Sequence, residues 1–511
     1  MMKFNIFILF FYVGVAALIG QESTSKADNY FYMYAYEDAI AEYQKEIQKG
    51  ALTNAQQLNL ADSYFKTGNF KDAAKIYLDV NRNDTIMTSN RFNTMLQSLS
   101  KIGQNDSIKS LLTKNKKLLS SELMDNANFN YELLQSTNEN ADDFKVFNIN
   151  GNSEQSDFSP TFFKDQLLFT SGRGHKAKRI YGPSGEAYLD IYLAKIGPDG
   201  DIVNPNLFDK IPESKYHKAT PFYAESLNRV FYSLSNTEND ELLYDENGKN
   251  SLAMAMSRNT SSGDNSFNYL LKDLGTSFYF PFYQESTGKL FFAANFDDGY
   301  GGTDIYFVYT NNAQIMSEPI NAGPRVNSPG NEIAPFILNN DLYFASDVFY
   351  GLGGMDIYKT HIQSDDTFSI PINLGNTINS PYDDFGFILK GQNANGYLGY
   401  FSSNRPNGKG KDDIYGFKVN QPPGLKTLVL RGIVAKPITE VPIDQALLQV
   451  LDKQGNILKE VTTIENGSYQ IEIPWRDEVV LVVSKDKYSK FNKFYDKSDL
   501  EAISGNAQQI E

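Results

Sequence analysis

The triplet Asp-Ile-Tyr recurs along the second half of the chain, and its spacing restricts the fold more than any other feature. The triplets begin at Asp190, Asp304, Asp356 and Asp413, which are 114, 52 and 57 residues apart. The first interval is twice the last, so a unit that has lost its triplet is expected near residues 253–256. The chain therefore contains five copies of one structural unit between residues 144 and 419.

Each unit has the pattern of a short antiparallel sheet. An aromatic strand ending in small residues, such as Leu168–Ser171, precedes each triplet, and a Pro or Gly beside Phe lies further upstream. Units of three or four short strands joined in series are typical of a β-propeller, because no blade can bury both faces of its sheet alone. We predict five blades, with six as the alternative count. A strand over residues 144–149 is expected to pair with the last blade and close the ring.

The repetition also suggests what the triplet does. A catalytic Asp is needed once, whereas an Asp at the same place in four blades serves every blade. Asp190, Asp304, Asp356 and Asp413 are therefore predicted to be structural positions, at which a carboxylate caps a turn by accepting backbone N–H groups.

Two copies of a helical unit precede the propeller. Residues 27–43 match residues 61–77 at a constant offset of 34, with alanines and tyrosines at the same places. This pattern resembles the tetratricopeptide repeat, in which small residues let two antiparallel helices approach and aromatic rings fill the gaps. A third unit over about 89–119 completes a helical solenoid at 21–120, followed by an exit helix and linker at 121–143. The predicted packing positions are Ala27, Tyr30, Ala39, Tyr43, Ala61, Tyr64, Gly68, Ala73 and Tyr77.

The two ends of the chain carry further signals. Lys3 precedes an apolar run at 6–19 that ends in small residues, which is the layout of a secretory signal at 1–20. No later run approaches membrane length. After a linker at 420–425, alternating strands at 426–495 resemble the carboxypeptidase-regulatory-like β-sandwich, an immunoglobulin-like module. Residues 496–511 have the composition of a polar tail.

The amino-acid composition argues against most kinds of catalytic site. The chain has no Cys, three His and a net charge of −15, which excludes thiolate chemistry and disfavours nucleic-acid partners. No nucleophile elbow, zinc-binding His pair or phosphate loop is present. The pairs Asp383-Asp384 and Asp412-Asp413 are adjacent, so their side chains should point to opposite faces of a strand. We therefore expect no enzyme, no catalytic residue, no metal and no cofactor.

The order of the segments resembles that of the OmpA-family envelope proteins of gliding bacteria, including the PorE-type component of type IX secretion. In this chain a signal is followed by helical repeats, a propeller and a sandwich. The resemblance implies a non-enzymatic scaffold in the periplasm, associated with the outer membrane, whose partners are other envelope proteins of secretion or gliding. Those relatives carry a C-terminal domain that binds peptidoglycan and has no counterpart before Glu511, so peptidoglycan is the weaker partner. Two alternatives stay open. The propeller binds glycans or peptidoglycan, or it is a hydrolase with Asp or Glu residues on one mouth.

Overall fold

The protein is mostly β-structure. Its computed structural model describes residues 25–82, 87–115, 119–135, 145–175, 179–258, 266–363, 366–391, 396–424, 427–503 and 507–510. Within these ranges 32 strands accompany eight helices. The predicted secretory signal at 1–20 lies outside the described residues. None of the described helices is both long and apolar enough to cross a membrane.

Five sheets of antiparallel strands form the five blades of a propeller, as the repeat spacing predicts. The innermost strand of every blade contains a bulge, where its pairing with the second strand shifts register. The residue at each bulge has a φ between 48° and 67°, and only Gly386 among the five is a glycine. A bulge re-aims the side chains around it, here at the channel on the propeller axis. The innermost strands are β2 (Asp157–Phe163), β8 (Lys218–Ala224), β14 (Phe278–Gln284), β19 (Glu332–Leu338) and β23 (Asp384–Gly391).

The second and third strands of each blade carry the buried aromatic and aliphatic residues. Phe169, Phe231, Phe292 and Phe401, all on second strands, have no exposed surface. The unit without a triplet supplies its third strand at 252–258, where the spacing places it. The second strands are β3 (Gln166–Ser171), β9 (Arg229–Ser235), β15 (Lys289–Ala294), β20 (Asp341–Ser346) and β24 (Tyr397–Ser403), and the third are β6 (Asp190–Ile196), β12 (Leu252–Arg258), β16 (Asp304–Asn311), β21 (Asp356–His361) and β25 (Asp413–Val419).

The ring is closed by a strand from the start of the propeller. Strand β1 (Val146–Asn148) pairs antiparallel with β25, placing Val146 opposite Phe417, so the predicted closure is confirmed. Short strands complete the other blades, and two hairpins project from blades 1 and 2. The outer strands are β7 (Ile202–Leu207), β13 (Phe267–Leu271), β17 (Gln314–Ile315), β18 (Ile320–Asn321) and β22 (Ile372–Asn373), and the hairpins pair β4 (Ile180–Tyr181) with β5 (Glu186–Ala187) and β10 (Thr237–Glu238) with β11 (Glu241–Leu242).

Seven helices precede the propeller. The small residues predicted to pack, Ala27, Ala39, Ala61 and Ala73, are fully buried between them. Tyr43 and Tyr77 are also buried and donate hydrogen bonds to Asp28 and Asp62, whereas Tyr30 and Tyr64 are half-buried. Gly68, with a φ of 78°, turns one helix into the next. The helices are α1 (Lys26–Tyr32), α2 (Tyr36–Lys49), α3 (Asn54–Lys66), α4 (Phe70–Arg82), α5 (Ser89–Lys101), α6 (Asn105–Lys114) and α7 (Ser121–Gln135).

The prediction of a tetratricopeptide solenoid is wrong. A solenoid repeat contacts only its neighbours in the chain and leaves a concave face open. Here α5 lies against the loops of blades 3 to 5, with Asn93 buried beside Asp347 and Lys101 bonded to the carbonyl of Pro381. Leu96 and Leu99 share one apolar core with Phe344 and Phe349 of blade 4. The helices are a short cap on a mostly β chain.

Two packed sheets form the C-terminal sandwich. Leu428, Leu448, Ile471 and Leu481 lie between the sheets. The segment with the composition of a polar tail contains helix α8 (Lys497–Ile503), whose Leu500 is fully buried in this core, and a strand that extends one sheet. One sheet consists of β29 (Ser468–Pro474), β26 (Thr427–Val434) and β32 (Ala507–Ile510), and the other of β28 (Ile457–Thr462), β27 (Leu447–Leu451), β30 (Val479–Ser484) and β31 (Phe491–Tyr495).

Candidate active site at the upper mouth of the propeller

We call the end of the propeller at which the innermost strands begin the upper mouth. Its floor is aromatic, because the bulges direct Phe158, Phe280 and Phe385 toward the axis. The ring of Phe385 lies 6.0 Å from that of Phe158 and 6.4 Å from that of Phe280. Phe280 belongs to blade 3 and Phe385 to blade 5, which are not neighbours, so their contact spans the axis. The three rings, all half-buried, obstruct the central channel below the mouth.

Three carboxyl groups converge at this mouth, beside the junction of blades 5 and 1. Asp412 immediately precedes the third strand of blade 5, and its backbone carbonyl accepts the N–H of Asp157 at the start of blade 1 at 2.8 Å. Burial, together with the nearby negative charges of Asp383 and Glu186, raises the pKa of Asp412 to about 6, against the opposing effect of the nearby Ser156 hydroxyl. Asp412 is therefore a carboxyl group able to hold a proton near neutral pH beside two others.

Asp383 is held in a fixed orientation. One carboxylate oxygen accepts a hydrogen bond from the backbone N–H of Met355 at 2.9 Å, and the other accepts from the side-chain amide of Asn404 at 2.8 Å. The backbone N–H of Asp383 in turn donates to the Asn404 side chain at 2.7 Å. These contacts fix the carboxylate on the blade 5 side of the mouth.

Glu186 reaches the same mouth from the β4–β5 hairpin of blade 1. Its carboxylate accepts from the backbone N–H of Ser156 at 3.3 Å and lies 3.9 Å from the ammonium group of Lys411. The close approach depends on Gly172, since a Cβ atom there would stand 2.5 Å from a Glu186 oxygen. Gly172 is thus required for its lack of a side chain.

An aromatic wall rises from blades 1 and 2 beside the carboxyl groups. His217 lies 4.7 Å from the ring of Tyr181 and 4.6 Å from that of Tyr188, and Tyr188 lies 5.5 Å from Tyr216. The Nδ1 atom of His217 accepts the backbone N–H of Leu189 at 3.0 Å, which leaves its proton on Nε2. Tyr216 is buried, whereas the half-buried rings of Tyr181, Tyr188 and His217 offer flat apolar faces with polar edges.

The helical cap contributes two more tyrosines to this side of the mouth. Tyr34 lies in the turn between α1 and α2, and the protein around it raises its pKa to about 12, with a contribution from Asp245 of blade 2. Burial also raises the pKa of the neighbouring Tyr36, with contributions from Tyr34 and from Tyr181 of the wall. The cap therefore overhangs the mouth.

The triplet aspartates lie outside this constellation. Asp304 accepts hydrogen bonds from the backbone N–H groups of Tyr300 at 2.7 Å and Gly301 at 3.2 Å, and Asp356 and Asp413 repeat the arrangement. Asp190 differs, since it contacts His175 and Lys218, each at 3.0 Å. All four are buried.

Sequence reasoning discarded the residues that do converge. In each adjacent acidic pair the second member is buried, whereas the first member, Asp383 or Asp412, is turned to the mouth. The two members of each pair do point to opposite sides, as expected. That expectation does not show which carboxyl groups from different blades lie together after the blades assemble. The described residues contain no group of three or more side chains placed to hold a metal ion.

No protein-family model matches the chain, and no curated protein does. Solved structures do resemble it. An endo-arabinase from Bacteroides thetaiotaomicron is 12% identical, covers 54% of this chain and 96% of its own, and gives a TM-score of 0.36. A xylan β-1,4-xylosidase from Bacillus halodurans is 9% identical, covers 71% of this chain and 94% of its own, and gives a TM-score of 0.34. Zg3597, a family 117 glycoside hydrolase from Zobellia galactanivorans, is 14% identical, covers 55% of this chain and 92% of its own, and also gives a TM-score of 0.34.

These findings correct three predictions. The comparisons contradict the OmpA-family identification, the secretion scaffold drawn from it and the expectation of a chain without enzymatic activity. The solved structures that resemble the chain are described as glycoside hydrolases and not as envelope scaffolds, and at 9–14% identity the likeness concerns the fold alone. The physical reason lies in the mouth. Adjacent carboxyl groups on one strand do not converge across a cleft, but Asp412, Asp383 and Glu186 come from different loops and lie together at the upper mouth.

Proposed function

We propose that this protein is a hydrolase that cleaves a glycosidic bond at the upper mouth of its propeller. The convergence of Asp412 with Asp383 and Glu186 carries the proposal. Hydrolysis of a glycoside needs one protonated and one ionised carboxyl group on either side of the scissile bond. Asp412, with its raised pKa, suits the first role, and Asp383, which only accepts hydrogen bonds, suits the second.

The reaction follows from these assignments. Asp412 donates its proton to the glycosidic oxygen while the bond between that oxygen and the anomeric carbon breaks. A water molecule adds to the anomeric carbon and gives its proton to Asp383. Glu186 acts through Asp412, because its negative charge favours the protonated form of that group. The net result is one glycosidic bond exchanged for two hydroxyl groups, with no other reactant.

The aromatic residues suit a sugar substrate. Sugar rings present C–H faces that pack on aromatic rings, and the wall of Tyr181, Tyr188 and His217 stands beside the carboxyl groups. This wall also favours a second candidate function, glycan binding without cleavage. We further propose that the protein is exported, on the evidence of its first twenty residues.

A substrate screen tests the proposal. Purified protein would be incubated with nitrophenyl glycosides of pentoses and hexoses and with polysaccharides, while release of nitrophenol or new reducing ends is followed. We expect turnover on at least one substrate and its loss in Asp383→Asn. Saturable binding of an oligosaccharide in calorimetry with no turnover would favour the second candidate. Neither turnover nor binding across the panel would exclude both.

A further inference from the structure

A second cavity, of about 740 Å³, lies away from the upper mouth, between the propeller and the sandwich. Its propeller wall comes from blades 3 and 4 and includes Phe307 and Phe368. Its sandwich wall comes from strands β26 and β29, through Arg431 and Glu472 among others. This volume falls within the range of cavities that enclose small ligands.

The strand alternation explains why polar residues face the cavity. Leu428 and Leu430 of β26 point into the sandwich core, so the residues between and after them, including Arg431, point out toward the propeller. Arg431 pairs in register with Gln470, whose side chain is exposed on the same face. The cavity wall is therefore the outer face of a sheet.

One positive charge in the cavity is already neutralised. The ammonium group of Lys289, a residue only 7% exposed, lies 2.9 Å from Asp366. It also stands 4.9 Å from the ring centre of Phe307 and 5.3 Å from that of Tyr309. Such a buried lysine is fixed in place by its partners.

The second positive charge is not neutralised. The guanidinium group of Arg431 is exposed and has no hydrogen-bond or ion-pair partner among the described residues. A guanidinium group presents paired N–H donors that fit a planar carboxylate with two parallel hydrogen bonds. An unpaired arginine in the wall of a cavity, beside the amide of Gln470, is suited to a ligand with one carboxylate and several hydroxyl groups.

Glu472 sets a limit on this ligand. It is 9% exposed and accepts a hydrogen bond from Thr427 at 3.2 Å. Burial raises the pKa of Glu472 to about 7, so near neutral pH much of it is protonated and can donate to a ligand. When ionised, it opposes an anion. The cavity should therefore accept a single negative charge and not several.

We infer that this cavity binds a sugar that bears one carboxylate, a uronic acid, with its carboxylate on Arg431 and its ring near Phe307 and Phe368. The site is separate from the upper mouth, so it does not depend on whether that mouth hydrolyses glycosides.

Calorimetry on the purified protein tests the inference. Glucuronate and galacturonate are the probes, with glucose and glucose 6-sulfate as comparisons at pH 6.5. We expect saturable binding of a uronate, at least tenfold weaker binding of glucose, and at least tenfold weaker uronate binding in Arg431→Gln. Because Arg431 is exposed and unpaired, this variant should fold normally. Lys436→Gln, an exposed change just beyond the end of strand β26, should bind the uronate as the wild type does.

The other outcomes are equally informative. Glu472→Gln removes the opposing charge and should bind uronate at least as tightly as the wild type. Flat titrations with both uronates, or unchanged binding in Arg431→Gln, would overturn the inference. Equal affinity for glucose 6-sulfate would overturn the carboxylate assignment.

Discussion

Asp157 donates its backbone N–H to the carbonyl of Asp412 at 2.8 Å, where the first blade of the propeller meets the last. The adjacent residue, Ser156, donates its own backbone N–H to the carboxylate of Glu186 at 3.3 Å. The main chain of Asp412 is thus fixed beside the residue that holds Glu186. Closure of the ring by β1 and β25 places these two segments side by side, although they are more than 250 residues apart in the chain.

The activity should depend on pH through Asp412. Its pKa is raised from the usual value near 3.8 to about 6, so the proton needed by a general acid is present below pH 6 and lost above it. We expect kcat/KM, which reports the pKa of the free protein, to fall about tenfold for each pH unit above that value. A rate profile from pH 4 to 9 measures this. A rate that rises steadily from pH 6 to 9 would contradict the role of Asp412 as the acid.

Gly172→Ala should lower activity without unfolding the protein. The new Cβ atom would meet a Glu186 oxygen at 2.5 Å, so the carboxylate must move away from the mouth. Loss of its charge from the neighbourhood should lower the pKa of Asp412 and shift the alkaline limb of the pH profile to lower pH. Gly185→Ala is not a matched control, because Gly185 has a φ of 70°. Gly182→Ala, on the same loop and with open space around it, is the better one.

Glu332→Gln should stabilise the protein near neutral pH. The equivalent residues Asp157 and Asp384 pair with Arg173 and Arg405, but blade 4 has Val348 at the place of the arginine. Burial raises the pKa of Glu332 well above its usual range, and Asp304 adds to the effect. Among the residues that the structure describes, its carboxyl group accepts hydrogen bonds only from the Ser328 backbone N–H and the hydroxyl groups of Ser328 and Ser346.

The sign follows from proton linkage. A carboxyl group whose pKa is raised in the folded state contributes stability below its unfolded pKa, near 4.5, and that contribution is lost as pH rises toward the folded value. We expect Glu332→Gln to gain about 1–3 kcal/mol at pH 8 and little at pH 4 in denaturant unfolding. Asp384→Asn, which leaves Arg405 unpaired, should instead lose about 3–5 kcal/mol. Equal losses in both variants would contradict this interpretation.

Asn93→Ala should weaken the attachment of the helical cap. Asn93 is 1% exposed, donates to the carbonyl of Asp347 at 3.2 Å and accepts from the N–H of Phe349 at 2.9 Å. Its removal leaves the Phe349 N–H buried without an acceptor, at a cost of about 1–3 kcal/mol. Proteolysis between cap and propeller should accelerate, whereas Asn29→Ala, an exposed change on α1, should have no effect. Unchanged proteolysis in Asn93→Ala would show that the cap is held elsewhere.

Repetition made much of the fold predictable. Every blade has a bulged inner strand, and three blades cap a turn with Asp304, Asp356 or Asp413, so these features recur at the blade interval and even the closing strand could be anticipated. The helical cap shows the limit of this approach. Tyr43 and Tyr77 pack as the 34-residue repeat requires, but no periodicity shows that Leu96 will bury itself against Phe344, more than 240 residues away.

The carboxyl groups of the mouth were harder still to predict. The carboxyl groups of Asp383, Asp412 and Glu186 are not repeated from blade to blade, and they converge only after the ring has closed. A local pattern can exclude a nucleophile elbow or a metal motif. It cannot exclude a site assembled from three separate loops.

A leaving-group comparison with Asp412→Asn tests the central claim most directly. If Asp412 protonates the departing oxygen, the variant should lose at least a hundredfold in kcat on an unactivated oligosaccharide but far less on a dinitrophenyl glycoside, whose leaving group needs no proton. Asp165→Asn, an exposed change on the opposite mouth, should match the wild type on both substrates. Equal losses on both substrates, or full activity in Asp412→Asn, would contradict the assignment of Asp412 as the catalytic acid.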